Sequence, residues 1–329
     1  MTGGTACPTL TSKILVRAAN WIGDAVMSLP ALRALRGRFP EAEITVLAKP
    51  WVAALYEGER SVDRLVPITG RWGIRREGFD LAVLFPNSFE SALQVFLAGA
   101  RRRVGYARDG RSLLLTTAVP VAHVGHERYY YLELLRRAGL IESVPEVSEI
   151  RFDGVEEARE RGQQLFRSRG IDRPVIGVSP GAAYGTAKRW LPERFAEAAG
   201  RIGGAISGSV AIFGSEAERG LCEQIATVCG GENLAGATTL REFIDMTAAC
   251  RLFLCNDSGA MHIAAGMGVP SVTIFGPTDE TATGPSSSLA RIVREPVECA
   301  PCKLRECPID HRCMTRVTVD RVVREASER

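Results

Sequence analysis

Short apolar runs alternate with helix-period segments along this chain, and the alternation runs through twice. Residues 13–18 (Lys-Ile-Leu-Val-Arg-Ala) read as a buried strand. A turn follows at Asn20–Asp24, then a helical pattern from Ala25 to Phe39 with Met27, Leu29, Leu32 and Leu35 on its apolar face. Pro40 stops that helix. Glu43–Ala48 and Leu81–Phe85 are further strands, the second leading into a helix over about Ser88–Ala98. After a loose, acid-rich stretch at 142–154 the pattern restarts with a helix over Glu156–Arg169. Strands are expected at Val175–Val178, Val210–Phe213, Leu252–Cys255 and Ser271–Phe275. Helices are expected at Pro192–Ile202, Glu216–Val228, Leu240–Cys250 and Met261–Ala265, with a last one at Val319–Ala326 crossing back onto the first half. Such alternation specifies parallel sheets with helices on both faces.

A chain of 329 residues suits two such α/β domains, placed at 1–150 and 151–329. The expected ligand position is the cleft between them, facing the carboxyl ends of the strands. No run of about 18 apolar residues occurs. Met1–Ser12 lacks a basic start followed by an apolar core, so a cytoplasmic location is expected. A net charge of +3 is too small to argue for a nucleic-acid partner. The charge is uneven, with nineteen Lys and Arg against fifteen Asp and Glu in residues 1–150, and twenty-two against twenty-three in residues 151–329. Arginines cluster at Arg71, Arg75 and Arg76, at Arg101–Arg103, and at Arg108 and Arg111. They are either solvated loop and helix ends or a surface for a phosphorylated or anionic-lipid partner, whose oxygens the guanidinium fork matches.

Four segments at strand ends carry chemistry. Asn20-Trp21-Ile22-Gly23-Asp24 has a glycine for a tight turn and an acid near a helix start. It is not a dinucleotide loop, which needs three spaced glycines. Pro180–Trp190 (Pro-Gly-Ala-Ala-Tyr-Gly-Thr-Ala-Lys-Arg-Trp) combines small residues with Lys188 and Arg189, which suits a diphosphate or is simply a turn-rich loop. Gly214-Ser215-Glu216-Ala217-Glu218 offers a carboxylate for a ribose diol, or acids in the first turn of a helix. Asn256-Asp257-Ser258-Gly259-Ala260-Met261-His262 offers an N-cap serine, free amides and two polar side chains. Together they suit an acceptor held by the first half and a nucleotide-activated donor held by the second. No Asp-x-Asp pair is present, so lysine and backbone amides are expected to neutralise the leaving diphosphate.

These motifs, with Phe85-Pro86-Asn87-Ser88-Phe89-Glu90-Ser91-Ala92, resemble the bacterial ADP-heptose:lipopolysaccharide heptosyltransferases of glycosyltransferase family 9 from Ile14 to about Val323. The Pro-Asn-Ser-Phe and Ala-Lys-Arg-Trp segments are closer to the type II branch than to type I. The resemblance implies a GT-B fold of two Rossmann-like domains and inverting transfer of L-glycero-D-manno-heptose from ADP-heptose onto a heptosyl-Kdo-lipid A acceptor. No catalytic metal or other cofactor is implied, and peripheral contact with the cytoplasmic face of the inner membrane is. It also implies roles. Asp24 would be the base, Lys188 the diphosphate contact, Glu218 the ribose acid and Asp257 the heptose acid. Gly181, Ala182, Ser258, Gly259 and His262 would complete the donor site, and Asn87 and Ser88 would meet the acceptor. Glu90 stands where many relatives carry a base. Alternatives are a type I or other heptose-adding enzyme, a sugar-nucleotide 2-epimerase, and a non-catalytic sugar-nucleotide binder.

Five cysteines, Cys7, Cys222, Cys229, Cys250 and Cys255, are scattered and read mostly as small buried apolar residues. Cys299, Cys302, Cys307 and Cys313 form a compact cluster around His311. In a reducing compartment that spacing reads as a structural zinc site, or else as buried or loosely paired thiols.

Overall fold

The computed structural model describes residues 11–70, 74, 77–121 and 125–328; Cys7, Arg71, Arg75 and Arg76 lie outside them. They form two units. The first takes in the described residues of Met1–Asn20, Ser28–His123 and Tyr129–Pro145, and the second those of Trp21–Met27, Val124–Arg128 and Glu146–Arg329.

The first unit is built on strands β1 (Lys13–Arg17), β2 (Glu43–Ala48), β3 (Arg64–Pro67), β4 (Leu81–Leu84), β5 (Arg102–Tyr106) and β6 (Thr117–Val119). Their order is β3-β2-β1-β4-β5-β6, and every neighbouring pair is parallel. The helices of this half of the sequence are α1 (Ile22–Met27), α2 (Leu29–Arg38), α3 (Pro50–Ala53), α4 (Phe89–Leu97) and α5 (Tyr130–Arg137), of which α1 belongs with the second unit. The helix expected at 25–39 therefore begins earlier and is interrupted. Pro30, in the first two positions of α2, has no N–H to carry a continuous ladder across Ser28. Strands β3, β5 and β6 had no apolar run to announce them: β5 opens on two arginines and β6 has three residues.

The second unit contains β7 (Val175–Ser179), β8 (Ser209–Ile212), β9 (Glu232–Asn233), β10 (Leu252–Asn256), β11 (Ser271–Phe275) and β12 (Ala290–Arg294). Its helices are α6 (Val155–Arg167), α7 (Pro192–Ala205), α8 (Arg219–Cys229), α9 (Leu240–Ala249), α10 (Gly259–Gly266), α11 (Glu280–Thr283), α12 (Arg312–Thr315) and α13 (Val319–Ser327). The sheet order β9-β8-β7-β10-β11-β12 repeats that of the first unit, again all parallel. Each unit is thus a doubly wound sheet whose order reverses beside its first strand. The central strands β7, β10 and β11 are buried along their whole length, as both-face cover by helices requires.

Helix α13 does not cross to the first unit. Val319, Val322 and Ala326 lie on one face and pack into the second unit's core with Ile202, Trp190 and Phe195. Cys222, Cys250 and Cys255 are buried and Cys229 is half-buried, as expected of small apolar residues. No described helix is long and apolar enough to cross a membrane.

Candidate active site

Strands β7 and β10 are neighbours where the order of the second sheet reverses, the position at which doubly wound sheets open a ligand crevice. The loop after β7 carries Pro180–Trp190, and the turn after β10 carries Asp257 and Ser258. Asn256, wholly buried at the end of β10, joins the two. Its Nδ2 donates to the Pro180 carbonyl at 2.7 Å, and its Oδ1 accepts from the Trp190 amide at 3.0 Å. One side chain thereby pins both ends of the loop that bears Lys188. The sequence reading gave Asn256 no role, because a short polar residue ending a strand carries no pattern. Asn256→Ala would leave a buried carbonyl and a buried N–H without partners, at about 1–3 kcal/mol each. Thermal unfolding should show that loss, and ADP titration should show weaker binding.

Lys188 Nζ donates to Asp257 Oδ2 at 2.6 Å, and both side chains are largely buried. The same carboxylate oxygen accepts from Thr278 Oγ1 at 2.6 Å, a residue the sequence reading did not single out. Lys188 Nζ also lies 5.0 Å from the centre of the Tyr184 ring, so an aromatic face and a carboxylate orient one ammonium. Ser258 precedes α10 in extended conformation, and its buried Oγ has no partner among the described residues. The Ser258 hydroxyl and the amides opening α10 follow directly on Asp257, whose carboxylate holds the Lys188 ammonium, a combination suited to phosphate oxygens.

Helix α1 packs against α10 within this unit. A Cβ on Gly23 would stand 3.0 Å from His262 Cδ2, and one on Gly259 would stand 2.7 Å from the Ile22 Cβ. Gly23 thus lies at a close helix approach, where a side chain would press on His262, rather than in a turn, since it is inside α1. The consequence is that Asp24, in the first turn of α1, belongs with the donor-side residues. Burial raises the Asp24 carboxyl to about 6; the charge of Glu127 adds to the rise and Lys188 opposes it. Burial likewise pushes His262 down to about 4, so its imidazole is neutral at ordinary pH. Glu127 belongs to a short segment docked on this unit, where His126 Nε2 donates to the Gly284 carbonyl at 2.9 Å and Arg128 to Ser286 Oγ at 3.2 Å. Sequence reading missed this segment, which is flanked on both sides by residues of the first unit.

Glu218 is a capping residue as well as a candidate ligand. Its Oε2 accepts from the Ser215 amide at 2.9 Å and from Ser215 Oγ at 2.8 Å. Its Oε1 is 3.6 Å from Arg189 Nη2. A Cβ on Gly181 would meet Glu218 Oε1 at 2.0 Å, so the glycine makes room for this acid. Ala182 is buried beside it in the same loop.

Asn87 and Ser88 lie in the first unit. Asn87 Nδ2 donates to the Tyr130 hydroxyl at 3.0 Å and Oδ1 accepts from the buried Arg111 at 3.2 Å. Ser88 caps α4, its Oγ accepting from the Ser91 amide at 3.3 Å. Glu90 pairs with Lys49 at 3.5 Å.

The four cysteines lie near one another, Cys299, Cys307 and Cys302 each adding to the rise that burial gives the Cys313 thiol. Among the described residues no three His, Cys, Asp or Glu side chains stand so as to hold a metal ion. Cys299 and Cys302 face solvent, Cys307 is half-buried, and Cys313 is part of the apolar core. The segment also braces the lysine loop. Arg305 O accepts from the Ala187 amide at 2.9 Å, Lys303 O from the Tyr184 hydroxyl at 2.8 Å, and His311 Nε2 donates to Ala187 O at 2.7 Å.

Two doubly wound six-stranded units, one with a lysine, an unpartnered hydroxyl and a helix N-terminus beside its switch point, have the architecture of the GT-B class of glycosyltransferases. Residues 71–312 match the model of glycosyltransferase family 9 (heptosyltransferase), and the chain belongs to that family. It is 31% identical over 311 residues to lipopolysaccharide heptosyltransferase 2 of Escherichia coli strain K12, covering 86% of this chain and 88% of that one. It is 29% identical to lipooligosaccharide heptosyltransferase 2 of Haemophilus ducreyi, covering 96% and 99%. The solved structure of E. coli ADP-heptose lps heptosyltransferase II superposes with a TM-score of 0.80 at 29% identity, over 96% of this chain and 98% of that one.

Proposed function

We propose that this chain transfers L-glycero-D-manno-heptose from ADP-heptose to the first heptose of the lipopolysaccharide inner core, with inversion, on the cytoplasmic face of the inner membrane. The observation that supports the reading best is the gathering of Asp24, Lys188, Asp257 and His262 around α1 and α10, in a chain whose relatives are type 2 heptosyltransferases.

In this reading Asp24 takes the proton of the acceptor hydroxyl as its oxygen attacks the anomeric carbon. The new carbon–oxygen bond forms on the face opposite the breaking bond to the diphosphate, and ADP leaves with the electron pair. A carboxylate held at about 6 is mostly ionised above neutral pH and is still basic enough to accept a proton. Lys188, Ser258 and the amides opening α10 meet the charge that develops on the diphosphate. Asp257 orients Lys188 and reaches the heptose hydroxyls, Glu218 takes the adenosine ribose, and Gly181 and Ala182 bring backbone to the nucleotide. Neutral His262 fixes the spacing of α1 against α10 and borders the sugar. Asn87 and Ser88 contact the acceptor.

Release of ADP from ADP-heptose tests this. The expected result is release that depends on deacylated heptosyl-Kdo-lipid A. Release only with the Kdo-terminated acceptor would assign the chain to type I, and release with neither would refute the reading.

A further inference from the structure

Helix α4 (Phe89–Leu97) buries Ala92 and Val95 in the core together with two polar side chains that are satisfied there: Gln94 Oε1 accepts from Arg17 Nε at 2.9 Å, and Ser91 Oγ lies 3.2 Å from Arg111 Nη1. Glu90 is the polar residue it leaves exposed. Its outward stripe is Phe89, Leu93, Phe96 and Leu97, spaced as one helical face, with Phe89 49% and Phe96 47% exposed. Leu113, in the short helical turn packed against α4, is 95% exposed. A helix lying on a sheet ordinarily turns its polar side to water, so this apolar strip calls for a partner. The charges beside it are mostly basic, the acids Glu90 and Asp80 being paired with Lys49 at 3.5 Å and with Arg101 at 3.6 Å. The Arg103 guanidinium lies 5.2 Å from the Phe96 ring centre, Arg101 has a 76% exposed side chain, and Arg108 is exposed in the turn before Leu113. Ser88, at the N-terminus of the same helix, belongs to the segment assigned to the acceptor.

We infer that the outer face of α4 with Leu113 is a membrane-docking surface, apolar side chains entering the interface and arginines meeting anionic lipid headgroups. It deepens the functional reading above: a lipid-anchored acceptor would present its sugars at the Ser88 end of the docked helix.

Flotation of the purified full chain with vesicles tests it, comparing phosphatidylcholine alone with phosphatidylcholine mixed with phosphatidylglycerol. The expected result is partitioning onto the anionic vesicles that weakens as salt rises. Arg101→Ser and Arg108→Ser should each lower it about fivefold, given the usual contribution of one basic residue near such a surface. Leu113→Ser, which removes no packing, and Phe96→Ser should lower it on both kinds of vesicle. Turnover on deacylated acceptor should be unchanged in all four. Native protein that stays off anionic vesicles overturns the proposal, as do variants that partition like native. So does a dimer on gel filtration that Leu113→Ser dissolves in the absence of vesicle binding, which would assign the strip to a second copy of the chain. Vesicle binding without acceptor-dependent ADP release would refute the functional reading and leave the docking surface standing.

Discussion

Asp24→Asn is expected to lower turnover by about 10²–10⁴-fold, the usual worth of a positioned general base, while leaving ADP affinity unchanged. It should also stabilise the fold. The Asp24 carboxyl sits at about 6 in the folded chain, above its ordinary value, with burial as the largest cause. The folded state therefore favours the protonated form. The resulting destabilisation is absent below about pH 4, grows as pH rises through about 6, and is complete above it. Asparagine carries no charge to desolvate, so at pH 8 the variant should unfold about 1–3 kcal/mol less readily. Loss of rate with gain of stability separates a functional acid from a structural one. Thermal unfolding at pH 8 and at pH 4.5 checks the sign, because the difference should shrink at the lower pH. Near-normal turnover would remove Asp24 from the base role.

Lys188→Ala is expected to reduce turnover by about 10²–10³-fold, as does loss of one donor to a developing oxyanion, and to weaken ADP binding about tenfold or more. The variant also strands the buried Asp257 carboxylate, which keeps only Thr278 of its two side-chain donors. Breaking a buried pair on one side costs about 3–5 kcal/mol. A second change, Asp257→Asn, removes the stranded charge and should restore much of the stability. Turnover should stay low in the double variant, because the cation is still missing. Calorimetric titration with ADP and thermal unfolding of both variants separate binding from folding. Unchanged ADP affinity in Lys188→Ala would exclude a diphosphate contact.

The buried, apolar strands were legible because their runs of apolar residues stand out between polar turns: β2, buried after Glu43, and β11 have the bounds their sequence suggests. Polar edge strands such as β9, only two residues long, carry no such signal. The expected helix from Ala25 to Phe39 missed the break at Ser28, where one proline outweighs a continuous apolar face. In the site, the charged residues stood out by type and position, and the structure brings Lys188 and Asp257 together. Their supports were hidden because they act through burial and backbone geometry. Asn256 works through two main-chain bonds, Gly23 through an absent side chain, and residues 303–311 through carbonyls and one imidazole on the lysine loop. The cysteines of that last segment drew attention to metal chemistry, and their neighbours' backbone contacts on the lysine loop gave no signal of their own.

The proton on Asp24 can be followed most directly by the pH dependence of kcat/KM for the native chain and for Asp24→Asn, with ADP-heptose and deacylated acceptor. The native rate should rise about tenfold per pH unit up to about 6 and level off above it, while the slow variant shows no such limb. A variant that keeps the same limb at a rate close to native would contradict the assignment.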